Sequence, residues 1–473
     1  MKLNLSVKKI DFQSWFKRGL SLGLLQLLLA CAAIDPNHIL TRRIGNDAPP
    51  VGVALDTDTR QRAYDFVWTR VNEAYVDPNL NGVDWKKVGQ EYQPKVLSAP
   101  TDEAFWKSLD NMVGELGDAH TRVLSAKQYA YDKDKRSYTV GLGVADLGGE
   151  LIVTSVAKDS PAEKAGIVKG NKILSIEGVK ANDWWQLKLS KARKNSTERA
   201  RFKTVKRILN SGDLDAPSDS IALQVERNDG TQADVTLLRA DLPRKDSLNS
   251  KMLADDLGYL RLTGFDAGLS KELDMTYDKV RTAKGLVIDL RGNGGGALNL
   301  SIAMMNQLVS GKIAIGKRIT RTGKPATFFF GLISTGKLEL ELQGVKNPYL
   351  GPVVVLVDSD SASASEFFAG SLQSIGRAKI IGETSCGCLL GYMGYANVPG
   401  GGALAYSELD FAPINGKRIE GVGVIPDQTV SVTRADLLLN RDAGLEAAVQ
   451  MLKNMQQESV MKLASSAELN FQN

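Results

Sequence analysis

Residues 352–366 read Pro352-Val353-Val354-Val355-Leu356-Val357-Asp358-Ser359-Asp360-Ser361-Ala362-Ser363-Ala364-Ser365-Glu366. Val353 to Val357 offer no polar alternation, so this strand is buried on both faces, as in a sheet covered by helices. The run stops at Asp358, and a helix begins near Ser363. A serine at such a junction stands beside the free amides of a helix N-terminus, which suits a nucleophile whose product is an oxyanion. Ser/Ala alternation before a helix also serves capping and tight packing, and the motif alone leaves both readings open.

The neighbouring segments repeat the alternation. Gly258-Tyr259-Leu260-Arg261-Leu262 reads as a strand, and Gly285 to Leu290 as a buried one that ends in Arg291-Gly292-Asn293-Gly294-Gly295-Gly296, with a helix from Leu298. Apolar strands alternating with helices predict an α/β core. Upstream, from Tyr138 to Leu242, the pattern is short strands and Gly-bounded turns. Gly141-Leu142-Gly143-Val144 comes first, then a short helix from Ser160-Pro161, then Lys172 to Ile176 closed by a turn. Further upstream Val67, Val71 and Tyr75, then Phe105, Leu109, Met112 and Val113 after a Thr101 cap, predict a small helical unit ending at Asp118-Ala119-His120-Thr121. The polar, basic stretch from Lys188 to Lys206 reads as a solvated face, with an inserted helix or arm as the alternative.

A chain of 473 residues calls for more than one domain. With 59 basic against 54 acidic residues and no basic stripe interleaved with aromatics, nucleic acid is not an implied partner. Lys2, Lys8, Lys9, Lys17 and Arg18 precede an apolar run from Gly19 to Ala30, a signal-peptide pattern too short for a permanent span. Leu28-Leu29-Ala30-Cys31 resembles a bacterial lipobox, which implies lipidation of Cys31 and, because Ala32 follows, an outer-membrane address. An ordinary secretory signal or an uncleaved anchor are the alternatives. The stretch from Ile34 to Val53 reads as a tether. The two remaining cysteines, Cys386 and Cys388, give no disulfide framework.

Taken in order, Asp118-Ala119-His120-Thr121, the Gly-bounded β module, Asp289-Leu290-Arg291-Gly292-Asn293-Gly294-Gly295-Gly296, the serine run and Glu420-Gly421-Val422-Gly423-Val424-Ile425-Pro426-Asp427 resemble the C-terminal processing (tail-specific) serine proteases from about residue 58 to 455. The β module resembles a PDZ domain. The resemblance implies a multidomain α/β protein: a helical unit (58–127), a β-barrel-like PDZ domain (137–242) and a protease core of the ClpP/crotonase-like type (250–455). A signal peptide (1–30), a tether (31–57) and a C-terminal tail (456–473) flank them. It further implies Ser363 as nucleophile and an oxyanion hole from Gly295 or Gly296 with Ala364. Gly141, Leu142, Gly143 and Val144 would take a peptide C-terminus by β-augmentation.

The sequence departs from the lysine-using branch of that family. Cys388 occupies the position of the lysine base and Tyr392 that of its glutamine, and no lysine lies between Lys379 and Lys417. The tricorn-like branch uses histidine with a supporting glutamate. His38 falls in the tether, which leaves His120 as the base, neutral near its ordinary pKa of about 6.5. Glu420 is the candidate orienting partner, and Glu366 the alternative as structural support. Cys388 reads as a small buried thiol in the lysine's space, with a redox gate paired to Cys386 or a metal ligand as the sharper alternatives. The expectation is an exported serine endopeptidase without metal or cofactor, acting on protein or peptide C-termini on the periplasmic face. The alternative is a lipid-anchored pseudoprotease that only binds peptides.

Overall fold

The computed structural model describes residues 35, 41–43, 53–212, 218–328, 333, 334 and 336–471. The signal peptide, Cys31, His38 and most of the tether lie outside these. Among the described residues no helix is long and apolar enough to cross a membrane.

The first unit is built on helices α1 (Thr57–Ala74), α2 (Trp85–Leu97) and α3 (Asp102–Gly114), capped by the side chains of Asp56, Asp84 and Thr101. Each such cap satisfies an N–H the helix leaves open and contributes about 1 kcal/mol. Val67, Val71, Tyr75, Phe105, Leu109 and Met112 form its core, but the helices do not close that core alone. Leu390, Ala396, Val398, Leu404 and Tyr406 complete it from far along the chain. They lie on and beside a hairpin whose strand Gly402–Ala405 pairs antiparallel with Arg122–Leu124. Gly402 is needed there, because a Cβ would meet the Trp106 ring at 2.4 Å. This pairing carries residues 118–122 onto the protease core. Arg42, from the stretch read as a tether, is buried in an ion pair with Glu408 at 2.8 Å.

The second unit is a sheet in which β1 (Leu142–Asp146), β2 (Leu151–Val156), β3 (Lys172–Ile176), β4 (Ser220–Glu226) and β5 (Gln232–Leu238) are antiparallel neighbours in that order. Helices α4 (Ala181–Lys191) and α5 (Glu198–Ser211) are inserted between β3 and β4. Trp184, Trp185, Val205 and Leu209 bury one side of this insert in the PDZ core. The other side is not the solvated face read from its charges. Arg193 donates to Asp110 and to the carbonyls of Asp118 and Thr121, Arg199 to those of Ser385 and Val422, and Lys206 pairs with Asp360. The basic residues here find carbonyls and carboxylates of two other units, which a charge count along one segment cannot reveal.

The third unit is a six-stranded sheet in the order β6 (Leu248–Met252), β7 (Leu257–Leu262), β8 (Gly285–Asp289), β9 (Val353–Val357), β10 (Lys379–Gly382) and β11 (Gln428–Thr429), parallel except for β6. The uniformly apolar strands bury both faces. Leu286, Ile288, Val353, Val355 and Val357 pack with α6 (Leu298–Asn306) and α7 (Ala364–Ser374), while Val287, Val354 and Leu356 pack with Ala448 and Leu452 of α8 (Ala443–Phe471). Each such side chain contributes about 1.5–3 kcal/mol of burial. The backbone of α8 continues through the stretch read as a tail. The fold class is the one expected: a helical unit, a PDZ module and a mixed α/β protease core. β8 and β9 are parallel neighbours, so the glycine run and the serine run leave the sheet at the same edge, where open α/β sheets bind ligands.

Candidate active site

Ser363 is the N-cap of α7 with φ 56° and ψ −116°. A left-handed backbone at a residue with a Cβ costs about 1–3 kcal/mol and persists only where its surroundings dictate it. Here they do. The Ser363 N–H is shared by the Cys388 carbonyl and Glu366 Oε2, each at 3.0 Å. Asp358 Oδ1 accepts from the amides of Gly292, Asp360 and Ser361, tying the two strand ends together. Ser361 and Ser365 are buried and donate their hydroxyls to the carbonyls of Leu290 and Asn293. Ser363 alone of the three is partly exposed.

Gly295 lies directly against this turn. A Cβ on it would sit 2.7 Å from Ser363 Cβ, 2.7 Å from the Ala362 carbonyl and 2.9 Å from the Ala364 nitrogen, so only glycine fits. Its own N–H is spent on Asn293 Oδ1 at 2.9 Å. Among the described residues the N–H groups of Gly296 and Ala364 have no acceptor. Of the two glycines named from the sequence, Gly296 is the one with an uncommitted amide.

Glu366 is fully buried and holds the loop that follows β10. Its Oε1 accepts from Ser385 Oγ and the Gly387 N–H, its Oε2 from the N–H groups of Ser363 and Cys388. Burial pushes its pKa up against those bonds. In this loop the expected free thiol is not found. Cys386 and Cys388 form a disulfide, their Cα atoms 5.3 Å apart. Gly387 at φ 75° folds the chain back between them, and a Cβ there would strike Thr197 at 2.7 Å. The sulfurs pack with Ala362 and with Ala200 of α5.

Ala119, the residue before His120, packs on the same cluster of Ala362, Cys386 and Cys388. Asp118 shapes the approach by accepting the N–H groups of His120 and Thr121 and the Ser407 hydroxyl. The imidazole is buried, and its Nδ1 has no hydrogen-bond partner among the described residues. Its pKa is pushed down to about 4, first by burial and then by the Arg122 and Lys203 charges, with Asp118 opposing. That is well below the ordinary value assumed from sequence. Arg122 itself lies over the rings of Tyr392 and Tyr395, at 5.4 and 5.5 Å, and Tyr392 is 6.1 Å from the imidazole.

Glu420 is buried but does not bond the imidazole Nδ1. Its Oε2 is taken by the N–H groups of Leu389 and Leu390, and Ser196 hydrogen-bonds the same carboxylate. Ser196 Oγ in turn accepts the Ala119 N–H at 3.0 Å, so Glu420 reaches His120 through Ser196 and the backbone. Burial raises the Glu420 pKa to about 7, with Asp118 adding to the rise. Ser196, Thr197, Arg199 and Lys203 all meet the site from the PDZ insert, and sequence reasoning missed all four. The signal available was the polar run itself, whose residues have no place in a PDZ core.

At the PDZ loop, Leu142 has both backbone groups occupied. Its N–H donates to Asn210 Oδ1 and its carbonyl accepts from Asn210 Nδ2, each at 2.8 Å. The carboxamide at the end of α5 thus makes the pair of bonds that an added strand would make.

Three family descriptions match in sequence: Tricorn protease C1 domain over residues 56–114, PDZ domain over 139–207 and Peptidase family S41 over 256–430. The chain is 26% identical over 410 residues to carboxyl-terminal-processing peptidase 3 of Arabidopsis thaliana, covering 82% of this chain and 72% of that one. It is 29% identical over 370 residues to a carboxyl-terminal-processing protease of Picosynechococcus sp., covering 77% and 81%. Mature CPAF in complex with lactacystin shares the fold, with a TM-score of 0.61 at 15% identity over 85% of this chain and 98% of that one. The S41 match, preceded by the PDZ and tricorn-type matches, together with the carboxyl-terminal-processing relatives, makes this chain a serine endopeptidase of the C-terminal processing type.

Proposed function

We propose that the chain is an exported, lipid-anchored enzyme that cuts proteins or peptides after their C-terminus is engaged by the PDZ loop at Gly141–Val144, the peptide taking over the two Leu142 backbone bonds made by Asn210. Ser363 is the nucleophile and His120 its base. The observation that carries this assignment is the forced left-handed turn at Ser363 with the uncommitted Ala364 and Gly296 amides, and the buried His120 follows Ala119, which packs on the cluster formed by Ala362 and the disulfide. As Ser363 Oγ attacks the scissile carbonyl, His120 takes the hydroxyl proton and the two amides receive the developing oxyanion, each such donor worth about 3 kcal/mol. The protonated imidazole then passes its proton to the leaving amine, and water attacks the acyl-enzyme with His120 again as base. Glu366 holds the turn and Glu420, through Ser196, holds the backbone at Ala119, next to His120. A base whose pKa is near 4 is free at every pH above about 5, so the protease needs no lysine at position 388. The likeness of the N-terminus to a signal peptide with a lipobox supports the exported, anchored reading.

Fluorophosphonate labelling of the chain lacking residues 1–31, read by intact mass from pH 3.5 to 9, tests the roles. Labelling that vanishes in Ser363→Ala, falls at least hundredfold in His120→Ala and has an acid midpoint well below 6 is expected. Equal labelling of wild type and His120→Ala would remove the histidine from the mechanism. No labelling at all would favour a chain that binds peptides at Leu142 without turnover.

A further inference from the structure

One charged group at the site has no place in the scheme above. Lys203 lies on α5, six residues beyond the Thr197 cap that donates to the Cys386 carbonyl at 2.5 Å. Its side chain crosses from the PDZ module to the protease core. Nζ donates to the Asp360 carbonyl at 3.2 Å and lies 3.2 Å from where a Cβ on Gly294 would be. That carbonyl is its only hydrogen-bond acceptor among the described residues. The Asp360 carboxylate is taken by Lys206 instead, at 2.8 Å. So a partly buried ammonium stands at the glycine run with one neutral acceptor and two N–H groups uncommitted. Gly294 is followed by Gly295, which backs on Ser363 Cβ and the Ala364 amide.

We propose that Lys203, delivered by the helix inserted in the PDZ module, is a positioning residue of the protease site, whose charge supplies positive potential at Gly294–Gly296 where the oxyanion forms. The proposal rests on the assignment of Ser363 and His120 above. A cation that finds no carboxylate partner in the resting site gains most when negative charge appears nearby, so its attraction is stronger in the transition state than before it. Burial lowers the Lys203 pKa, while Asp360, Asp358 and Glu366 oppose the drop and Lys206 adds to it. The same ammonium acts on His120, adding to burial and the Arg122 charge in lowering its pKa against Asp118. Because the charge arrives on α5, the oxyanion environment depends on how the PDZ module is seated, and Asn210 at the far end of that helix holds Leu142.

The test is the second-order fluorophosphonate labelling rate from pH 3.5 to 9 for wild type, Lys203→Met, Lys203→Arg, Lys206→Met and Ser363→Ala. Lys203→Met should lower the plateau rate about tenfold, a charge acting at longer range than a direct oxyanion donor. It should also move the acid midpoint upward, since His120 loses a repelling charge. Lys203→Arg, which keeps the charge but cannot serve as a base, should restore most of the rate and the wild-type midpoint. Lys206→Met loosens the helix without removing the site's cation and should leave the midpoint in place. Should Lys203→Met fail to fold by circular dichroism, Lys203→Gln gives the same comparison. An unchanged rate and midpoint in Lys203→Met overturns the proposal, as does Lys206→Met reproducing its effects. Lys203→Arg as impaired as Lys203→Met, with His120→Ala still labelled, would make Lys203 the base. Labelling that survives Ser363→Ala would instead strike the underlying nucleophile assignment.

Discussion

Two buried groups at the site whose pKa values are shifted in opposite directions should hide one another's effect on stability, and single substitutions should expose both. His120 has its pKa pushed from 6.5 to about 4 by burial and by the Arg122 and Lys203 charges. Its folded pKa is depressed, so the unfolded chain takes the proton first and stability is lost as pH falls from 6.5 to 4. At 1.36 kcal/mol per pH unit the loss is about 3 kcal/mol. Glu420 moves the other way, from 4.5 to about 7, mainly by burial. The folded chain takes that proton first, so its stabilisation is present below 4.5 and lost as pH rises through 7, again by about 3 kcal/mol. Between pH 4.5 and 7 the two contributions run in opposite directions and nearly cancel. His120→Asn should therefore gain about 3 kcal/mol relative to wild type on acidification from 6.5 to 4, and Glu420→Gln should lose a similar amount between 7 and 4.5. Urea unfolding at half-unit intervals from pH 4 to 8 measures both differences, and loss of hydrogen bonds adds a constant offset without changing the slopes. Differences from wild type that stay flat with pH would refute the electrostatic account of the site. Slopes of the same sign in both variants would refute the opposed shifts.

Three further outcomes are expected. Gly295→Ala places a Cβ within 2.7 Å of Ser363 Cβ and the Ala362 carbonyl at φ 98°, so labelling should fall at least a hundredfold while circular dichroism is retained. Arg42→Ala leaves Glu408 as an uncompensated buried charge and should cost about 3–5 kcal/mol by urea unfolding, most of it recovered by replacing Arg42 and Glu408 together with Met and Leu. Asn210→Ala frees both backbone groups of Leu142, and hydrogen exchange of that amide should quicken about tenfold.

Much of the fold was legible because its signals are local. Val353–Val357 lacks polar alternation, Asp358 stops the strand, and Thr101 stands one residue before a helix; each of these acts within a few residues of itself. The core residues of the serine turn were legible for the same reason, since a strand, a turn and a helix cap are contiguous in sequence. What stayed hidden lies where distant segments meet. Nothing near Trp106 announces that Gly402 will sit on it, and the fate of the cysteine pair depends on the left-handed turn at Gly387 and on Thr197 from another unit. The pKa of His120 could not be read from a table of ordinary values, because burial and two cations from separate elements set it.

The basic run of the PDZ insert is the sharpest case. Counted along the chain, Lys188 to Lys206 is a charged face and solvation is its cheapest fate. A lysine or arginine leaves water only where acceptors wait for it. Those acceptors are the carbonyls of Asp118, Thr121, Asp360, Ser385 and Val422, backbone groups in turns and loops outside the helices and strands. Two of them, at Asp360 and Ser385, lie just past the ends of β9 and β10, at the sheet edge that also carries the serine turn. A basic insert seeking acceptors is therefore drawn to the sheet edge where the Gly296 and Ala364 amides also stand open. The PDZ module meets the proposed site along that edge, where Lys203 Nζ bonds the Asp360 carbonyl at 3.2 Å.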